Sequence, residues 1–194
     1  QLARARDLGF LALGASELEF FAFRESYASA SAKGYQGLTT FGEYVEDYHI
    51  LQGTKTEPLV GAIRRNLEAS GIPVEFSKGE WGPGQQEINL RYCELLEMAD
   101  RHVLYKSAAK EIAAAQGLAI TFMAKWDAAM AGNSMHVHTS LWDLAGEKNA
   151  FAGDEPLPGS PMRASKTFRF WLGGLLAHAR EIALFLAPTV NSYK

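Results

Sequence analysis

The stretch Ser16-Glu17-Leu18-Glu19-Phe20-Phe21 alternates acid and hydrocarbon with a period of two. In a strand that period sends Glu17 and Glu19 to one face and Leu18 and Phe20 to the other. Two further segments repeat the pattern. In Gln85-Gln86-Glu87-Ile88-Asn89-Leu90-Arg91, the face with Gln85, Glu87, Asn89 and Arg91 opposes Gln86, Ile88 and Leu90. In Ser134-Met135-His136-Val137-His138-Thr139-Ser140, both imidazoles and two hydroxyls oppose Met135, Val137 and Thr139. A sheet assembled from the three carries a carboxylate-and-imidazole surface above a hydrophobic layer. Crowded carboxylates repel, so such a surface is stable when cations neutralise it. The pattern outlines a divalent-metal site.

A chain of 194 residues with 47% hydrophobic content suffices for one domain with a sizeable core. A net charge of −3 gives no electrostatic case for nucleic acid or an anionic membrane as partner. The longest apolar stretch, residues 170–186, is interrupted by His178, Arg180 and Glu181, which excludes a bilayer span. Cys93 is alone and forms no internal disulfide, which fits a cytoplasmic, reducing setting. The chain begins with Gln1 rather than Met and reads as a piece of a longer polypeptide.

The predicted elements are mixed. A strand over 9–24 is broken at Gly14. A connection over 26–56, rich in Gly, Ser, Ala and Tyr, is weakly periodic and of a length usually functional or mobile. A helix over 57–70 places Val60, Ile63 and Leu67 at helical spacing, with Gly71 as its stop. A short strand over 74–76 precedes the turn Gly79-Glu80-Trp81-Gly82-Pro83-Gly84. A helix over 94–116 carries a stripe through Leu95, Met98, Tyr105, Ala109 and Ile112; a strand over 118–125 follows. A Gly/Pro-rich connection over 143–161 leads into a helix over 163–186, ended by Pro188. Strands separated by such helices predict an α+β fold, an antiparallel or mixed sheet with helices on one face.

Each polar group taken singly has an ordinary explanation. Glu17 and Glu19 suit a solvent-facing strand, Glu80 and Glu87 a solvated turn around Gly82-Pro83-Gly84, and His136 and His138 a hydrogen-bonded structural pair. Together, four glutamates and two imidazoles on polar faces point to one site. Hard carboxylate oxygens with few imidazoles and no thiolates favour Mg²⁺ or Mn²⁺ over structural zinc.

The same residues carry a family resemblance. Gly14-Ala15-Ser16-Glu17-Leu18-Glu19-Phe20-Phe21, Gly79-Glu80-Trp81-Gly82-Pro83-Gly84-Gln85-Gln86-Glu87, Phe122-Met123-Ala124-Lys125, Ser134-Met135-His136-Val137-His138 and Pro188-Thr189-Val190-Asn191-Ser192-Tyr193-Lys194 occur in that order. The chain resembles the catalytic domain of the glutamine synthetase family nearly end to end. The resemblance implies a curved, mostly antiparallel sheet with helices outside. It also implies ATP-dependent ligation of a carboxylate, usually the γ-carboxyl of glutamate, to ammonia or another amine through an acyl phosphate. Carried over by motif position, Glu19, Glu80 and Glu87 hold a first metal ion, and Glu17 and His136 a second that bridges the nucleotide phosphates. Glu75, Tyr92, His138 and Ser140 match positions near the nucleotide, although strict alternation puts Tyr92 on the face opposite Glu87. Gly132 and Ala131 match positions at the amino-acid substrate.

Two departures concern the substrates. The loop before Met135-His136, commonly Asp-Asn-Gly-Ser-Gly, reads Met130-Ala131-Gly132-Asn133-Ser134, so Ala131 offers a methyl group where an amide is usual. Asn133 is the one candidate to replace that amide. The histidine pair usual before the middle glutamate is Lys78-Gly79, which adds a positive charge and disfavours a cationic polyamine. The resemblance further implies an amino-terminal domain before Gln1, and a carboxy-terminal part with phosphate-binding arginines after Lys194. Residues 1–194 are then a partial catalytic domain, inactive alone, whose parent forms a homo-oligomeric ring. Two other readings stay open: a family-derived metal and nucleotide binding protein without ligase activity, and a metal-dependent hydrolase, for which no separate base is present.

Overall fold

One long strand, β1 (Phe10–Phe23), is the spine of the computed structural model, which describes residues 1–193. Along one edge β1 pairs antiparallel with β3 (Gln85–Leu90) and the short β4 (Cys93–Glu94). Along its other edge it pairs with β5 (Ala119–Thr121) and β6 (Met135–Asp143). β2 (Val74–Gly79) lies outside β3, also antiparallel. A separate ribbon joins β7 (Glu155–Pro156) to β8 (Arg163–Ala164).

The alternation in the sequence becomes a division of labour between the sheet faces. Leu18, Phe20 and Ala22 of β1 and Ile88 and Leu90 of β3 are buried against α3 (Ile50–Ala69) and α4 (Leu95–Ala115). The helices contribute Leu59, Ile63 and Leu67 from α3 and Met98, Tyr105 and Ala109 from α4. Each such large side chain contributes roughly 1.5–3 kcal/mol relative to its exposed state. The buried Tyr105 hydroxyl donates to the Leu18 carbonyl at 3.4 Å, tying α4 to β1. With α1 (Leu2–Asp7), α2 (Tyr27–Ala32), α5 (Lys166–Ala177) and α6 (Ala179–Leu186), the described residues form six α-helices and an antiparallel sheet, the expected α+β fold. No helix among them is long and apolar enough to cross a membrane.

Several boundaries differ from expectation. β1 runs unbroken through Gly14, which has no special backbone angle. A Cβ there would lie 2.5 Å from Leu95 Cδ2 and 2.8 Å from the His138 carbonyl oxygen, so the glycine admits α4 and β6 to close approach. The weakly periodic connection holds α2 and the first turns of α3. That helix begins at Ile50, with the His49 side chain accepting from Gln52 N–H. Its first residues include Gln, Gly, Thr and Lys, which hid the period. The strand expected over 118–125 ends at Thr121, where Phe122 turns its ring onto Phe20 and Tyr105. The last long helix starts only at Lys166, capped by Ser165, and divides at His178, whose φ of −107° and ψ of 13° interrupt the helical run.

Candidate functional site

Strand register assembles the acids. Glu19 stands opposite Glu87 across β1 and β3, and Glu17 stands opposite Asn89 on one side and His136 on the other. Glu80 comes from the turn that joins β2 to β3. Ligand atoms of Glu19, Glu80 and Glu87 lie within 4.8 Å of one another, and so do those of Glu17, Glu87 and His136. All five residues matched to metal positions therefore converge on the sheet face away from α3 and α4. Glu87 belongs to both groups, whereas the motif comparison placed it in the first alone. A mostly carboxylate donor set at this spacing fits Mg²⁺ or Mn²⁺.

The electrostatics follow from crowding under partial burial. Burial pushes Glu87 up to about 7, the charges of Glu17 and Glu80 add to this, and a hydrogen bond from Asn89 opposes it. Glu19 is raised by burial and by Glu80 against the pull of the Ser134 N–H. Burial raises Glu17 too, but the hydrogen bonds and charges of His136 and His138 outweigh it and leave that carboxyl below its ordinary range. Glu17 Oε1 is 2.9 Å from His136 Nδ1 and its Oε2 is 2.9 Å from His138 Nε2, so one carboxylate orients both rings. His136 is raised in turn, chiefly by its hydrogen bond to Glu17.

Beside this cluster is a cavity of about 360 Å³ whose lining includes Glu17, Glu75, Tyr92, His138 and Ser140. The four residues matched to nucleotide positions thus meet in one place. Tyr92 reaches it although alternation predicted otherwise, because Arg91 and Tyr92 fall between β3 and β4 and restart the facing pattern. Glu75 sits at a register shift between Val74 and Phe76, an irregularity that re-aims its side chain.

Supporting residues were less visible in the sequence. Gln85 is buried; its Nε2 lies 2.9 Å from Glu19 Oε2, 2.9 Å from the Gly132 carbonyl and 3.1 Å from Asn133 Oδ1, while its Oε1 accepts from Gly82 N–H at 3.0 Å. Glu19 Oε2 also accepts from Ser134 N–H at 2.9 Å. The loop bearing Ala131 and Gly132 is therefore attached to Glu19. Alternation placed Gln85 on the right face, but nothing in it foretold these contacts. Asn133 donates to the Met123 and Thr121 carbonyls at 2.9 and 3.3 Å, so its amide is committed to the loop and does not replace the one absent at Ala131. Lys78 Nζ lies 2.6 Å from Glu80 Oε1 and 3.1 Å from Asp47 Oδ1. Burial lowers its pKa, but these two carboxylates reverse the effect and hold it above the ordinary lysine value. The positive charge expected from Lys78 is matched by two acids, so it presents no free cation to an amine. Glu46, in the connection read as weakly periodic, is buried and pushed up to about 7 by that burial, against hydrogen bonds from Gly84 and Gln86.

Comparison with known proteins points to one family. The family profile described as the glutamine synthetase catalytic domain matches residues 1–194. The chain is 44% identical over 194 residues to the γ-glutamylethanolamide synthetase GlnA4 of Streptomyces coelicolor. It is 37% identical over 193 residues to the glutamate–isopropylamine ligase of a Pseudomonas species, and 36% identical over 194 residues to the glutamine synthetase of Mycolicibacterium smegmatis. Each alignment covers 100% of this chain but only 40% or 41% of the relative, so the chain spans about two fifths of their length. A solved GmaS/ADP complex superposes with a TM-score of 0.85 at 30% identity, covering 100% of this chain and 42% of that one. The glutamine synthetase of Plasmodium falciparum superposes at 0.79 with 24% identity, covering 99% and 41%, a likeness of fold alone. The alternating acids, the convergent glutamates and these matches lead to one conclusion: the chain belongs to the glutamine synthetase family and represents part of its catalytic domain.

Proposed function

We propose that the full-length protein is an ATP-dependent carboxylate–amine ligase that works with Mg²⁺ or Mn²⁺. It joins glutamate or a similar acid to an amine through an acyl phosphate. The observation that carries this reading is the double membership of Glu17, in the acid–imidazole cluster and in the wall of the adjoining cavity. A nucleotide bound in that cavity would have the acid–imidazole cluster within reach of its phosphates. Divalent cations there would supply charge neutralisation for the transferred phosphoryl group. Glu19, Glu80 and Glu87 would hold one, and Glu17, Glu87 and His136 the other. Glu75, Tyr92, His138 and Ser140 bind the nucleotide, His138 being oriented by Glu17. Gln85 and the Ser134 N–H occupy one oxygen of Glu19 and leave the other for its cation. Gly132 and Ala131 contact the acid substrate, whose carboxylate attacks the γ-phosphate of ATP as ADP leaves; the amine then attacks the acyl carbon, phosphate leaves and the new amide nitrogen gives up a proton.

The favoured amine is not ammonia. Relatives named for an ethanolamide and for isopropylamine support this. So does the loop chemistry: Ala131 has no polar group and Asn133 is engaged elsewhere, and a site that drops a hydrogen-bonding group changes its preferred substrate. The residues lining the cavity include no Lys or Arg. Phosphate charge then needs cations from further chain, and one missing stabilising group costs about 3 kcal/mol of barrier. We therefore assign activity to the longer polypeptide and expect residues 1–194 alone to be inactive. A cytoplasmic setting, where ATP is supplied, and a homo-oligomeric ring complete the proposal. The exposed Phe170 and Leu176 of α5 and Leu184 and Phe185 of α6 support burial of these helices against further protein.

The test is phosphate release and amide formation by the full-length protein, with glutamate against ammonia, ethanolamine, isopropylamine and a diamine. The expected result is Mn²⁺- or Mg²⁺-dependent amide synthesis, with a higher kcat/KM for an alkyl or hydroxyalkyl amine than for ammonia. Preference for ammonia overturns the amine assignment. Binding of ATP and Mn²⁺ without amide from any amine overturns the ligase reading in favour of a non-catalytic binder.

A further inference from the structure

The segment before α3 contains a buried acid that the ligand set above leaves unused. Glu46 is 1% exposed. Its Oε1 accepts from the Gly84 N–H at 2.8 Å, its Oε2 accepts from Gln86 Nε2, and its own N–H donates to the Glu80 carbonyl at 3.2 Å. One residue therefore grips the turn between β2 and β3 at both ends. Glycines make the room: a Cβ on Gly42 would lie 1.8 Å from Glu46 Oε1, and one on Gly79 would lie 2.5 Å from the Glu46 carbonyl oxygen. The next residue extends the hold, since Asp47 pairs with Lys78, Lys78 pairs with Glu80 Oε1, and the Lys78 ammonium lies 4.8 Å from the centre of the Tyr48 ring.

Burying a carboxyl group is costly unless its oxygens are hydrogen-bonded. Here two oxygens meet two donors, the Gly84 N–H and the Gln86 amide, that an apolar side chain of the same shape would strand. We propose that Glu46 is a positioning residue that sets Glu80 for its cation by clamping the Glu80–Gly84 turn; this rests on the metal reading above. Glu46 touches neither cation nor substrate. It acts by limiting where the Glu80 carboxylate can sit, as residues behind a metal ligand do in other sites.

The experiment measures Mn²⁺ affinity of the full-length protein by electron paramagnetic resonance, at a temperature where circular dichroism shows each variant folded. Glu46→Met, which removes both acceptors, is expected to weaken Mn²⁺ binding about 10–100-fold, the usual effect of losing such a partner. Glu46→Gln is expected to keep most of the affinity, because its amide oxygen accepts from Gly84 and its NH₂ can donate to the Gln86 amide turned over. Gly42→Ala, whose Cβ would meet both the Glu46 carboxylate and the Gly84 backbone nitrogen, disturbs the same clamp at its two partners; it should weaken binding as Glu46→Met does, and it tests the clamp if Glu46→Met does not fold. Ile63→Val, a core truncation far from the turn, should lower Tm and leave affinity unchanged. Folded Glu46→Met or Gly42→Ala with wild-type affinity overturns the inference, as does an equal loss in Ile63→Val. Failure of the wild type itself to bind Mn²⁺ overturns the metal reading, an outcome distinct from failure of the clamp.

Discussion

Glu19 and Glu87 are direct cross-strand partners, two buried carboxylates facing each other from β1 and β3 on the side of the sheet away from the long helices. Like charges in that position destabilise a strand pair by roughly 0.2–1 kcal/mol even at a surface. The pairing works against the metal-free fold and for a bound cation. Glu87→Gln should therefore raise the Tm of the metal-free protein, by an amount equivalent to about 1 kcal/mol. It should also remove most of the stabilisation by Mn²⁺, which for a ligand at a hundred times its Kd is about 2.7 kcal/mol. Thermal melts of both proteins with and without Mn²⁺ check this. Equal Mn²⁺ stabilisation in the variant would show that Glu87 is not a shared ligand.

Gln85 links Glu19, the Gly82 N–H and the Gly132 carbonyl through one side chain. Gln85→Met keeps the volume and strands those groups, at about 1–3 kcal/mol. Gln85→Glu should be worse at neutral pH, because it sets a third carboxylate against Glu19. Urea unfolding should rank the proteins wild type, Met, Glu, with faster hydrogen exchange in residues 130–134 of both variants. A Glu variant as stable as wild type would mean that the Gln85 amide is not needed as a donor.

Gly14 is needed for space. Its backbone is ordinary strand, but an added Cβ meets Leu95 and the His138 carbonyl oxygen at 2.5 and 2.8 Å. Leu95 has a flexible end and can give way, whereas the carbonyl belongs to the paired β6. Gly14→Ala should cost about 1–3 kcal/mol by overpacking. An unchanged urea midpoint would show that β6 yields without cost.

Glu25 offers a pH signature remote from the acids. It accepts from Lys33 Nζ at 2.7 Å and from the Thr39 N–H at 3.0 and 3.1 Å. The Lys33 hydrogen bond holds its carboxyl below the ordinary value of 4.5, outweighing burial. A depressed folded-state carboxyl contributes stability that is fully present above the unfolded value and is lost as pH falls through the folded one. The stability difference between wild type and Glu25→Gln should thus be constant near neutrality and shrink as the pH drops below about 4.5. A difference independent of pH down to 3 would sink this assignment.

Much of the site was legible because side-chain facing in a strand is a local property. Glu17 and Glu19, Glu87, and His136 and His138 could be assigned to one polar surface from their own neighbours, and the ordered motifs around them identified the family. The hydrophobic partners Leu18, Phe20, Ile88 and Leu90 were legible for the same reason. Features that depend on residues far apart in the chain came only with folding. A period of two does not say that Glu19 faces Glu87, or that Glu87 serves both ligand groups; register does, and register is set by long-range pairing. Tyr92 joined the cavity because two residues outside the ladder restarted the alternation. Glu46 stood in a segment without periodicity, and its partners Gly84 and Gln86 are 38 and 40 residues away. Which side chains share a face could be read along the chain, because that follows from backbone geometry over a few residues. Only the folded chain decided which of them meet, because meeting depends on strand register and on contacts that no local pattern encodes.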